Sequence, residues 1–317
     1  MKLQEIYDFL VSQGIELDPR GKQEVLGGLE TAKKNFEQMP QKEKAFFDKE
    51  QLTNPYSDTR IVFGNKDAQI KNILVGIDID VGEILLADRL NQKGMQVDLV
   101  LSHHPRGAAV GGLHQVMHMQ AAILEEFGVP ISIAEGLLDN RIKEVGRRFA
   151  KVNITQVADA AKLLEMPLMC MHTPADNAVA QFIKKAIDER KPDILENIID
   201  LLREIPEYKD AALNNAGPKI EVGKPQNKAG KIVVEMTGGT EGPKEVLSKL
   251  ANAGVSTIIA MHFSDEHLKV AQDEHINIII AGHISSDTLG LNLLLDRLSK
   301  KDKFNIISCS GFRRFER

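Results

Sequence analysis

Cysteine is nearly absent from this chain, tryptophan is absent, and no basic excess or long apolar run is present. Two cysteines, Cys170 and Cys309, exclude a disulfide framework and a cysteine-based zinc knuckle, and make a reducing cytoplasm the expected setting. Aromatic residues make up 5% and the net charge is −5, so the basic stripe and stacking rings of a nucleic-acid binder are missing. The one basic cluster, Arg313-Arg314 with Arg317, reads as a solvated tail. No apolar run has transmembrane length, and Met1-Lys2-Leu3-Gln4-Glu5 lacks the pattern of a signal peptide. No membrane partner is expected.

What is present is ordinary globular usage, 43% hydrophobic and 27% charged over 317 residues, enough for two lobes with their own cores. Residues 1–54 carry helical spacing (Ile6, Phe9, Leu10; Leu26, Leu29, Phe36, Met39) and read as an N-terminal helical appendage without a chemical motif. Beyond it, short apolar runs alternate with amphipathic segments. The runs are Ile73–Ile79, Val97–Leu101, Val129–Ile133, Pro167–Met171, Lys231–Met236, Thr257–Met261 and Ile276–Ile280. Strand and helix in turn predict an α/β fold with mainly parallel or mixed sheets flanked by helices. A first lobe is expected over 55–180, a helical connection and Pro/Gly/Asn-rich linker over 181–228, and a second lobe over 229–317. No internal repeat is evident.

The polar residues gather where the apolar runs end: Ser102-His103-His104-Pro105, His172-Thr173-Pro174-Ala175-Asp176, His262, and Gly282-His283-Ile284-Ser285-Ser286-Asp287. Open α/β sheets bind ligands beyond the carboxyl ends of their strands. Two successive histidines at a strand break can serve two nearby metals, or can be a loop pair in water. His283 and Asp287, four apart, share a helix face if a helix begins there; a capping or packing role is the plainer reading. Asp176 can bridge two metals or close an Asx turn, and His172 fits an outer role, fixing a neighbour.

Weaker signals accompany these. The turn Thr237-Gly238-Gly239-Thr240 before a helix could cradle phosphate, although it lacks a P-loop ending. His114 and His118 share a helix face close enough to reach the same pocket. Asp78 and Asp80, after an apolar strand, resemble the nucleophile loop of haloacid-dehalogenase-type phosphatases. That alternative leaves the histidines unexplained and finds no late acidic pair.

Together, Ser-His-His-Pro at 102–105, His172-Thr173-x-x-Asp176 and Gly282-His283-x-x-x-Asp287 resemble, in order, the motifs of the Nif-three-like dinuclear metal-centre family, often labelled GTP cyclohydrolase I type 2 homologue. The resemblance covers roughly 72–176 and 229–298. It implies two divalent metal ions (Zn, Fe, Mn or Ni) held by His103, His104, Asp176, His283 and Asp287, with Asp176 as the bridge. It also implies hydrolysis of a nucleotide or other small phosphate-bearing molecule through a metal-bridging hydroxide, and a homo-oligomer such as a hexamer. Gly238 and Gly239 would bind substrate, and His262, where the family is expected to carry an acidic residue, would act as acid/base. The alternative is a non-catalytic metal-binding scaffold or regulator acting through protein partners. Asp287 stands where the family usually has Glu; a methylene shorter, it is expected to reach one metal only or to bind weakly.

Overall fold

The computed structural model describes all residues 1–317, and two β-sheets organise it. The first contains β1 (Arg60–Phe63), β2 (Asn72–Gly76), β3 (Leu99–Ser102) and β4 (Leu168–Cys170). The second contains β5 (Lys219–Val222), β6 (Lys231–Glu235), β7 (Val255–Ala260) and β8 (Asn277–Ile280). A last strand, β9 (Asn305–Ser308), returns to the edge of the first sheet beside β2. The strand orders are β1-β4-β3-β2-β9 and β5-β8-β7-β6.

Without β9 the two sheets are topological copies. Each has an antiparallel edge strand, β1 or β5, followed by three parallel strands. The central strands read as near-continuous Val, Ile and Leu because both faces are covered. The repeat escapes the sequence because only buried apolar character is shared, and Val, Ile and Leu exchange freely at such positions.

Two long helices, Thr173–Arg190 after β4 and His283–Ser299 after β8, pack on each other between the sheets. Ala175, Ala178 and Leu291 face the first sheet's core, with Ile73, Val75 and Leu99. Val179, Ile183 and Leu289 face the second, with Ile259 and Ile279. Leu3, Ile6 and Leu10 of the N-terminal helix Leu3–Glu16 close the first core. That helix meets the start of the Thr173–Arg190 helix so closely that a Cβ at Gly14 would lie 2.7 Å from Pro174. No helix is long and apolar enough to cross a membrane.

Several expectations are corrected. The run at 129–133 is not a strand: Pro130 precedes a helix, Ile131–Ala150, whose buried face is Ala134, Leu138, Ile142 and Val145, a helical spacing that a five-residue window cannot reveal. The stretch 206–228 is not simply a linker, since it holds the helix Pro206–Leu213 and β5. The boundary drawn at 229–317 is crossed by β9. The basic C-terminus is not a free tail. Arg317 pairs with Glu207, whose side chain is fully buried, and Arg314 donates to Asp296 at 2.6 Å. Asn292 of the His283–Ser299 helix donates to both Glu207 and the Arg313 carbonyl.

Candidate metal centre

β3 ends at Ser102, and the next two residues leave the strand while still donating backwards, His103 N–H to the Gly76 carbonyl and His104 N–H to that of Ile77. The Ser102 hydroxyl donates to the His104 carbonyl at 2.7 Å and pins the loop. Both rings therefore turn the same way, centroids 5.2 Å apart, rather than to opposite faces as in a regular strand. The duplicated topology supplies the other donors. β4 and β8 occupy equivalent positions, and each runs into a central helix carrying His-x-x-x-Asp at its start: His172 and Asp176, His283 and Asp287. Asp176 lies in the first turn of its helix, where a carboxylate suits the positive end of the helix dipole.

Six side chains converge. His103 Nε2 lies 3.5 Å from Asp176 Oδ1 and 3.4 Å from Asp287 Oδ1. Asp287 Oδ2 lies 3.4 Å from His104 Nε2 and 3.5 Å from His283 Nε2. His104 Nε2 and His283 Nε2 are 3.4 Å apart. Donor atoms fall into three overlapping groups, each within 4.8 Å: His103, His104 and His172; His104, His283 and Asp287; His103, Asp176 and Asp287. Two nitrogens each about 2.0–2.1 Å from a tetrahedral zinc are roughly 3.4 Å apart, so the separations are those of ligands around a cation.

The hydrogen-bonding inventory points the same way. His103 Nε2, Asp176 Oδ1 and both oxygens of Asp287 are buried with no hydrogen-bond partner. Each such orphan costs on the order of 1–3 kcal/mol or more when charged, and one cation cluster satisfies all four. The opposite edges of three rings are anchored: His103 Nδ1 against the Met171 carbonyl at 3.2 Å, His104 Nδ1 against Asp78 at 2.7 Å, and His172 Nδ1 against Asp58 at 2.8 Å. An acceptor at Nδ1 fixes the tautomer and leaves Nε2 to bind metal. Asp58 also accepts from the Thr173 hydroxyl at 2.6 Å.

Burial lowers His103 to about 4, so the ring is a neutral donor at neutral pH. Burial also lowers His283. For His104, burial works downward but the Asp287 and Asp78 carboxylates outweigh it. His172 is raised to about 9, Asp176 and Asp58 prevailing over burial. Burial pushes Asp176 up to about 7. Asp287, though buried, is held below the usual carboxylate range by the three histidines it faces.

All five sequence-predicted ligands come together. Asp287 belongs to two of the three donor groups, its Oδ1 facing His103 and its Oδ2 facing His104 and His283, whereas Asp176 belongs to one and turns Oδ1 to His103 and Oδ2 to His172. The central helices approach closely beside Asp287: a Cβ on Gly290 would stand 2.3 Å from the Ala175 carbonyl oxygen. His172 belongs with the inner donors rather than outside them, and the repeated His-x-x-x-Asp spacing is the signal that could have said so. Asp58 had no signal, since β1 brings it in from 114 residues away.

The centre opens into a cavity of about 460 Å³ between the carboxyl ends of the sheets. His262, two residues beyond the end of β7 as His104 is beyond β3, lines it with its ring 4.8 Å from that of His283. Gly239 lines it too. Gly238 instead packs against Gln120, which donates to the Gly238 and Thr240 carbonyls. The turn's positive φ angles serve close packing, and the next helix begins only at Val246. His114 and His118 line a separate surface groove. Asp78 Oδ1 contacts His104 Nδ1 at 2.7 Å, and Asp80 caps the Val81–Gln92 helix.

The fold recurs in solved structures. A NIF3 superfamily protein from Sphaerobacter thermophilus is 29% identical over 80% of this chain and 91% of its own, with a TM-score of 0.72. Reduced HcgD from Methanocaldococcus jannaschii is 16% identical over 78% of this chain and 87% of its own, with a TM-score of 0.51, and shares the fold. No protein-family profile and no curated protein matches the chain.

Proposed function

The chain is a NIF3-like family member, and from that premise we propose that it is a metal-dependent hydrolase with a dinuclear centre acting on a small molecule. The observation that carries the reading is the set of four orphaned buried atoms at the meeting point of six metal-ligating side chains. Two divalent ions, when bound, supply an activated water at neutral pH and polarise the bond under attack. His103, His104, His172 and His283 would be the nitrogen donors and Asp176 and Asp287 the oxygen donors. All-N/O ligation suits Zn, Fe, Mn or Ni. Asp58 and Asp78 orient His172 and His104. His262, on the cavity wall and not anchored by a carboxylate, passes a proton to the leaving group. The substrate's reacting oxygen, phosphoryl or carbonyl, enters from the cavity. A cytoplasmic setting and a homo-oligomer belong to the same reading; light scattering tests the latter.

The test measures metal per chain after anaerobic purification, then hydrolysis of a panel of nucleotides and phosphoesters by wild type and His104→Ala. Two ions per chain, with metal and turnover lost together in the variant, is the expected result. Less than one ion per chain refutes the dinuclear centre, and full occupancy without turnover turns the reading to a scaffold.

A further inference from the structure

Asn177 follows Asp176 in the Thr173–Arg190 helix and is completely buried. A buried amide is costly unless its polar atoms are met, and here both are met from outside the helix. Nδ2 donates to the Gly14 carbonyl at 3.2 Å and lies 3.4 Å from both Asp18 Oδ2 and the Tyr56 hydroxyl oxygen. Oδ1 accepts from the Thr237 hydroxyl at 2.6 Å. The partners fix the orientation. A carbonyl and a carboxylate only accept, so the amide nitrogen faces Gly14 and Asp18, and its oxygen faces Thr237. Asp18 is itself held by Arg20, through Nε at 2.9 Å and Nη2 at 2.8 Å, and by the Tyr56 hydroxyl at 2.9 Å.

One end of this chain of bonds lies in the N-terminal segment. The other lies at the cavity of the metal centre, which Thr237 and Asp176 both line. The same segment meets the start of the helix at further points. Gly14 packs on Pro174, Asp58 holds His172 and Thr173, and the Thr59 hydroxyl accepts from the His172 N–H at 3.1 Å. The counterpart helix His283–Ser299 is held differently. Its Ser285 and Ser286 hydroxyls donate to the Gly282 carbonyl at 3.2 and 2.6 Å, and Tyr208 meets Ser286 at 2.9 Å. The turn bearing Asp176 is thus braced by Asp18, 159 residues before Asn177.

We propose that Asn177 is a positioning residue of the metal centre: through it the N-terminal segment and the cavity wall at Thr237 together fix the turn that carries Asp176. The inference rests on the preceding reading in taking Asp176 as a ligand. Residues 1–59 are then a working part of the centre and not an appendage. Without the amide the turn is free to shift, and a ligand displaced by more than about 0.2 Å leaves the tolerance of a metal site.

The test compares the full chain as wild type, Asn177→Ala, Thr237→Val, the double variant and Thr237→Ser, each chelated and then reloaded. Zinc affinity is read by competition with a chromogenic chelator, and ligand geometry by the visible absorption of the Co2+-loaded protein. Thermal unfolding of the chelated chain reports stability. Ile198→Ala, in the second sheet's core on the helix Leu195–Glu204, is the control for stability loss alone. Asn177→Ala should lose roughly tenfold or more in zinc affinity and change the cobalt spectrum. Thr237→Val should move both in the same direction, Thr237→Ser should restore them, and the double variant should lose no more than Asn177→Ala, because the hydroxyl acts through the amide. Ile198→Ala should melt lower with affinity and spectrum unchanged. Asn177→Ala within about twofold of wild type with the wild-type spectrum, or Ile198→Ala losing as much metal, overturns the inference. If Asn177→Ala does not fold by circular dichroism, Thr237→Val decides by the same criterion. A wild type that takes up no metal refutes the centre itself, whereas equal binding by wild type and variants refutes only the positioning role.

Discussion

Gly290 is the position at which helix packing and metal geometry meet. Alanine there adds a Cβ 2.3 Å from the Ala175 carbonyl oxygen and 2.9 Å from its carbon. Ordinary contacts begin at 3.4 Å, so the two central helices must part by roughly 1 Å, the scale at which a close-packed interior loses its fit. Asp287 lies three residues before Gly290, and Asp176 directly follows Ala175. Metal sites tolerate about 0.2 Å in ligand distance, so the displacement exceeds the tolerance severalfold. Helix propensity alone favours alanine over glycine by up to about 1 kcal/mol. Overpacking costs about 1–3 kcal/mol, and the expected net is a loss of stability together with at least a tenfold loss of metal affinity. Thermal unfolding, with metal competition against a chromogenic chelator, checks both. A Gly290→Ala protein that melts higher and keeps its metal would refute the coupling of helix approach to metal affinity.

Asp58→Asn removes a fully buried acceptor from His172 and Thr173; metal affinity should fall about 10–100-fold, read by the same competition, while β1 stays paired by circular dichroism. Glu235 holds its proton to about 7 in the folded chain against 4.5 as its reference. The unfolded state thus releases a proton first, and stability falls as pH rises between those values, by roughly 3 kcal/mol at most. Denaturant midpoints of wild type and Glu235→Gln should coincide near pH 4 and diverge in favour of the variant by pH 8. Arg317→Ala strips the charge partner from Glu207 while Asn292 remains; a cost of about 1–3 kcal/mol is expected, and a loss below 0.5 kcal/mol would show that the C-terminus is not a clasp on the His283–Ser299 helix.

The sequence by itself determined the alternation of strand and helix and the ends at which chemistry collects. Buried parallel strands need apolar runs, and a histidine just beyond one has few places to go except the carboxyl rim. His103, His104, Asp176, His283 and Asp287 were legible for that reason. Only the tertiary structure shows that Asp287 faces three of the histidines and Asp176 two. That depends on how closely two helices approach, and Gly290 sets the approach against a carbonyl 115 residues away in sequence. Only it revealed the duplication that makes His172 the counterpart of His283, because strand order is fixed by pairing and not by composition. Asp58 also waited for the fold: a lone acidic residue just before a strand carries no pattern, and its chemistry depends on the histidine and threonine that strand pairing brings beside it.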